Sequence, residues 1–140
     1  MSIIEQAALI LHAKRCSCVI VQNGNVRLCN EHGIKDLYQI LKEEPEVLLG
    51  ATVADKVIGK GAAALMILGG VKEVYADVIS RPALKLFLTV SVHTKYGECV
   101  PNIINRTGTG ICPVETLCAD CESALDCMPM IEKFVTKSKK

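Results

Sequence analysis

The sequence predicts an α/β fold, a three-layer α/β/α sandwich around a mixed sheet of about five strands. Three observations predict it. Asn23-Gly24, the strongest short hairpin signal, separates two strand-like runs. Beyond residue 70, strand-like and helix-like segments alternate, as parallel crossovers require. Residues 61–68, GAAALMIL, are apolar on every side, which suits a helix buried all round.

Ser2, with Glu5 three residues on, is a capping box and opens a first helix reaching residue 14. Residues 16–22, CSCVIVQ, are β-branched and read as a strand, and residues 25–30 return from the hairpin. Gly33 breaks the chain. Ile34, Leu37, Tyr38 and Leu41 recur at helical spacing, so residues 34–43 form a second helix, which Pro45 ends. The central helix is expected over residues 53–68. Three consecutive alanines favour it, Asp55, Lys56 and Lys60 make its front polar, and Gly69-Gly70 suit a left-handed stop. Residues 71–79, VKEVYADVI, form the next strand. Ser80-Arg81-Pro82 starts a helix running to residue 92, with Pro82 near its first position. Residues 97–104 contain another strand, confined by Pro101 to an edge or a short piece. NRTGTG at 105–110 is a turn-rich loop. Cys112 caps and Pro113 opens a further helix, and residues 122–136 form an amphipathic helix kinked or divided by Pro129.

The chain has 140 residues, enough for one domain with a substantial core. Half of it is hydrophobic, with three Tyr, two Phe and no Trp, so that core is aliphatic. A net charge of +1 and scattered aromatics give no reason to expect nucleic acid. Glu5 and Gln6 interrupt what would be the apolar region of a signal peptide, and no apolar run has the ~20 residues that span a bilayer. A cytoplasmic location, without membrane association, is expected. Eight cysteines then read as free thiols or ligands rather than a disulfide framework.

Three segments carry a family likeness: ATVADKVIGKGAAALMILGGVKEVYADVIS, RPALKLF and VPNIINRTGTGICPVE. They resemble a small bacterial and archaeal family of unknown function that is similar in fold to the cytidine deaminases. The likeness covers roughly residues 19–115. Its most specific pieces are Ala54-Asp55-Lys56-Val57, Gly59-Lys60, and Asn105-Arg106 with Gly108 and Cys112-Pro113. The resemblance implies a deaminase-like sheet. Deaminase chemistry needs a His or Cys and a catalytic Glu on one helix start and Pro-Cys-x-x-Cys on another, holding zinc with an open water position. Residues 53–58 have no His, Cys or Glu, and residues 80–86 keep Pro82 but neither cysteine. Neither zinc nor any other cofactor is therefore expected at these turns.

The candidate site residues lie at strand ends and at the helix starts that follow, the edge where ligands bind in open α/β sheets. Asp55 and Cys112 are the catalytic candidates. Lys56, Lys60, Ser80, Arg81, Asn105, Arg106, Thr107 and Glu115 are the ligand-binding candidates. Lys56 or Arg106 would hold a phosphate or carboxylate. A thiol at a helix N-terminus, as at Cys112, has nucleophilic potential, although it also packs as a small apolar residue. Glu115 by default reaches back to its own helix cap. Gly59-Lys60-Gly61 lacks the spacing of a phosphate-binding loop, and its glycines read as close packing. His12 and His32 have no companions, and His93 could reach Cys112 only through the fold, with a structural role as its default. Cys118-x-x-Cys121, with Cys127, has metal or redox spacing, whereas Cys16 and Cys18 point to opposite faces of one strand.

The leading expectation is a zinc-free domain that binds a small anionic or nucleoside-like molecule, with possible thiol assistance. A cysteine-based redox or metal-responsive module is one alternative. A structural or partner-binding domain with a vestigial pocket is another. Self-association into a homo-oligomer is expected from the apolar composition. Asp55 and Arg106 are expected to border one cleft.

Overall fold

The first helix starts where Ser2 places it. The Glu5 N–H donates to Ser2 Oγ at 3.2 Å, and the Ser2 hydroxyl donates to Glu5 Oε1 at 3.0 Å. In the computed structural model, which describes residues 2–14, 16–30, 34–104, 108 and 110–137, this helix, α1, spans Ile3–Ala13. Strands β1 (Cys18–Gln22) and β2 (Asn25–Cys29) follow as an antiparallel hairpin. Its turn residues Asn23 and Gly24 both take positive φ, 48° and 81°, which matches the right-handed twist of the flanking strands. Helix α2 (Lys35–Glu43) buries Leu37 and Ile40, and a single 3-10 turn, Pro45–Val47, follows it.

The central helix begins later than expected. Thr52–Ile58 is a strand, β3, and the helix, α3, spans Lys60–Gly69. Asp55 and Lys56 therefore lie in a strand and not at a helix N-terminus. The physical reason is double coverage. Val53 packs in the larger core and Ala54 in the smaller one, on opposite faces of the sheet. Residues 52–54 are buried on both faces and show little alternation, although Lys56 and Val57 beyond them are exposed. The far end of α3 is as expected: Gly70 takes φ 84°, and the Val71 N–H reaches back to the Met66 carbonyl at 3.1 Å.

Strand β4 (Glu73–Ser80) leads into α4 (Arg81–Leu88), where the Ala83 N–H donates to Ser80 Oγ at 3.2 Å. Helix α4 ends at Leu88 rather than at residue 92, and β5 spans His93–Val100 rather than residues 97–104. The sequence of β5, HTKYGECV, is polar because most of it is exposed on an edge. Pro101 does mark an edge strand, but from just beyond its end. Helix α5 (Pro113–Leu117) is short, and α6 (Ala124–Lys137) runs on through Pro129.

The sheet order is β2-β1-β3-β4-β5. The first three strands pair antiparallel, and β3, β4 and β5 run parallel. Helix α1 packs alone on one face, against β1, β3 and β4. The other face carries α3, with α2, α4, α5 and α6 gathered around it. Helix α3 is thus the hub of the larger core, with Ala63, Ala64, Leu65 and Met66 fully buried. Ile67 and Leu68 are only partly buried. No described helix is long and apolar enough to cross a membrane.

Candidate functional site

The three parallel strands end along one edge of the sheet, at Ile58, Ser80 and Val100. Glu115, from α5, is buried behind that edge with 3% of its surface exposed. Its Oε1 accepts from the Lys60 N–H and from the Ser80 hydroxyl, each at 2.9 Å. Its Oε2 accepts from the Ile103 N–H at 2.6 Å. One carboxylate thus ties the start of α3, the cap of α4 and the chain leaving β5. A negative charge against two helix N-termini is also favourable for their dipoles. Glu115 does not reach back to its own cap as expected; it bridges other elements. A Cβ at Gly59 would crowd Ile103 Cγ1 at 3.2 Å, while standing at ordinary contact, 3.5 Å, from Glu115 Oε2.

The Lys60 side chain turns the other way. Its ammonium donates to the carbonyls of Ala119, at 3.2 Å, and Cys121. These carbonyls follow the C-terminus of α5, a favourable place for a cation. Lys60 also lines a cleft of about 420 Å3 with Arg81, Lys85, Thr89, Asn102 and Glu122. Arg81 and Lys85 stand one turn apart on α4, so they share a face. Both are exposed, and neither makes an ion pair among the described residues. Three cations and one carboxylate thus line the cleft and give its lining a positive charge.

Lys60, Ser80, Arg81 and Glu115 are therefore brought together at this edge. Asp55 and Lys56 are not among the described residues that line the cleft. Asp55 sits within β3, opposite Cys18 on β1 and Ala76 on β4. Burial pushes its carboxyl up to about 7, against the pull of the Val57 and Lys56 N–H groups and the Cys18 thiol. Lys56 is exposed on the same strand. Cys112 is half-buried as the residue before α5, with its N–H donating to the Ile103 carbonyl at 2.8 Å, and it does not line the cleft. Asn105, Arg106, Thr107 and Thr109 lie outside the described residues, as does His32, so the pairing of Asp55 with Arg106 lies outside them too. His93 begins β5, at the end of that strand away from the cleft.

One cluster was not legible in the sequence. His12 on α1 meets Asp77 Oδ1 at 2.6 Å, and the Tyr75 hydroxyl donates to the same oxygen at 2.7 Å. That hydrogen bond pushes the Tyr75 phenol up to about 12. No local spacing signals a contact between a helix and a strand so far apart in the chain. The tail thiols, by contrast, are the cluster that the spacing of Cys118, Cys121 and Cys127 had already marked. The Cys121 thiol donates to the Asp126 carbonyl at 3.5 Å, and the neighbouring Cys118 thiol is the main cause that raises the Cys127 pKa. Among the described residues, no group of three or more His, Cys, Asp or Glu side chains is disposed to hold a metal ion. Cys16 and Cys18 do lie in opposite cores, but not by strand alternation, which puts residues two apart on one face; Cys16 precedes β1.

Comparison with curated proteins returns no match. Among solved structures, a DUF1893 family protein (TM1506) from Thermotoga maritima is similar in fold, with a TM-score of 0.84 and 25% sequence identity. The alignment covers 93% of this chain and 88% of that one. A family model described as TM1506, domain of unknown function (DUF1893), matches residues 6–135. That match spans nearly the whole fold, from α1 to α6, and the chain therefore belongs to the DUF1893 family.

Proposed function

We propose that this domain binds a small anionic molecule in the cleft at the carboxyl edge of β3, β4 and β5. The observation that carries the reading is the set of three cations, Lys60, Arg81 and Lys85, on one cleft of about 420 Å3. Arg81 offers a planar fork for phosphate or carboxylate, and Lys85 adds a mobile point charge. Thr89 and Asn102 supply neutral polar groups of the kind that meet hydroxyls or a heterocycle, which fits a nucleoside-like ligand.

The resemblance to cytidine deaminases is read here as one of scaffold. In its support, the crossover helices α3 and α4 both begin at the carboxyl edge of parallel strands. Their starts, Gly59-Lys60-Gly61 and Ser80-Arg81-Pro82, hold none of the His or Cys ligands that zinc-dependent deamination needs. The thiol at the cleft is Cys121, and burial pushes its pKa up, which disfavours the nucleophilic thiolate. Binding is therefore the reading that the geometry supports best.

Native mass spectrometry of freshly purified protein tests for a retained ligand. Calorimetric titration with inorganic phosphate and a nucleoside monophosphate then gives affinities. Arg81→Ala and Lys85→Ala are each expected to weaken probe binding about tenfold, or about 1.4 kcal/mol. Both side chains are exposed, so the melting temperature stays nearly unchanged. Unaltered affinity in both variants, or no probe binding at millimolar concentration, would exclude the cleft as the site.

A further inference from the structure

On the face of the sheet covered by α2 and α3, one cross-strand row carries three chemically active side chains. Cys18 on β1 lies directly opposite Cys29 on β2 and directly opposite Asp55 on β3. Opposed residues of antiparallel strands point to the same face. Cys18 and Cys29 are both buried in the larger core, and each shifts the pKa of the other. The Cys18 thiol in turn pulls on the Asp55 carboxyl, opposing the rise that burial causes. Opposed Cα atoms in such ladders are roughly 4.5–5.5 Å apart, inside the range of about 4.4–6.8 Å that a disulfide spans. Cys29 further lines a cleft of about 320 Å3, beside Arg27, Asn30 and Asp36 and separate from the cationic cleft.

We propose that Cys29, Cys18 and Asp55 form a redox site that reduces a small neutral hydroperoxide, with Cys18 and Cys29 closing to a cross-strand disulfide and Asp55 accepting the Cys18 proton. The Cys29 thiolate attacks one peroxide oxygen. The O–O bond breaks, hydroxide leaves and takes a solvent proton, and Cys29 becomes a sulfenic acid. Cys18 passes its proton to Asp55 and attacks the Cys29 sulfur. The S–O bond breaks as the S–S bond forms, and the departing hydroxide takes the proton from Asp55. Two thiols lose two electrons, hydrogen peroxide becomes two waters, and an external dithiol restores the reduced pair.

The environment fits these roles. The Cys18 thiol lowers the Cys29 pKa, which favours its thiolate, and the Cys29 thiol raises the Cys18 pKa, followed by burial and the Asp55 charge. Asp55, pushed up by burial to about 7, both takes and releases a proton near neutrality. Asp36, Glu43 and Glu44 also line the Cys29 cleft, where Arg27 is paired with Glu44 at 2.8 Å. That acidic rim favours a neutral oxidant over an anionic disulfide.

The test uses the full chain and equimolar hydrogen peroxide, followed by alkylation of free thiols, trypsin and mass spectrometry. Cleavage after Arg27 separates Cys18 from Cys29, and fragmentation distinguishes Cys18 from Cys16. The expected product is a Cys18–Cys29 linkage that dithiothreitol reverses. Asp55→Asn is expected to slow closure on the order of 100-fold, with an unchanged circular dichroism spectrum, and Asp55→Glu to recover most of the rate. Free alkylated Cys18 and Cys29, or a linkage confined to Cys118, Cys121 and Cys127, would overturn the proposal. Closure of Asp55→Asn at the wild-type rate would remove Asp55 from the site. Because the two clefts share no lining residue, failure here leaves the anion-binding reading untouched.

Discussion

Two carboxyl groups, Glu115 and Asp55, show how one side-chain type takes opposite roles. Glu115 is surrounded by donors from Lys60, Ser80 and Ile103. Its removal strands buried donors, and each one left unpaired costs about 1–3 kcal/mol. Glu115→Ala is therefore expected to lose at least about 3 kcal/mol in urea denaturation, and Glu115→Gln less, since one acceptor oxygen survives. An unchanged urea midpoint in Glu115→Ala would deny that the carboxylate ties the three strand ends. For Asp55, burial outweighs the donors, and its pKa rises from 3.8 to about 7. The folded state then holds a proton that the unfolded chain has already released. Its contribution to stability is complete below pH 3.8 and is lost as the pH rises to about 7. Asp55→Asn is expected to flatten this decline and to be more stable than the wild type at pH 8. Urea midpoints measured across that pH range check the slope, and parallel curves for the two proteins would count against it.

At the scale of elements, α3 is the helix that the others are built around. Its close approach to α5 depends on Gly61, because an added Cβ would collide with Val114 Cγ1. Val114 is β-branched and stiff, so the strain has no easy outlet. Gly61→Ala is expected to cost about 1–3 kcal/mol, and Val114→Ala in the same chain to return part of it. Thermal melts of the two single variants and the double variant give the coupling directly. Additive losses would show that the two side chains do not compete for one space. The same contact holds α5 against the start of α3, where Glu115 makes its bridge, so packing and site geometry are linked at this point.

For the molecule as a whole, the unequal layers leave much of the sheet open. Among the described residues both edges are unpaired, and Val26 and Leu28 on β2 and Tyr96 on β5 are exposed. Leu88 and Leu125 are also largely exposed, at 73% and 70%. Open strand edges beside apolar side chains favour association. We expect at least a dimer at micromolar concentration, and a monomer mass by light scattering would contradict this.

Local chemistry alone determined much of this fold. The Ser2 cap, the Asn23-Gly24 turn, the Ser80 cap and the stop at Gly70 each depend on residues adjacent in the chain. The apolar body of α3 was legible because a helix without a polar face has to be buried. The convergence of Lys60, Ser80, Arg81 and Glu115 followed from their places at strand ends and helix starts. Tertiary structure decided the rest. Residues 52–58 form a strand because β4 pairs along them and β1 along residues 52–55, and both faces are covered at residues 52–54, which erases there the alternation that local reading needs. Strand β5 was displaced because an exposed edge strand carries polar residues without an apolar period. The partners of Glu115, the Cys18, Cys29 and Asp55 row, and the meeting of His12 with Asp77 all depend on strand register and layer stacking. These contacts join residues far apart in the chain, and only packing brings them within hydrogen-bonding distance.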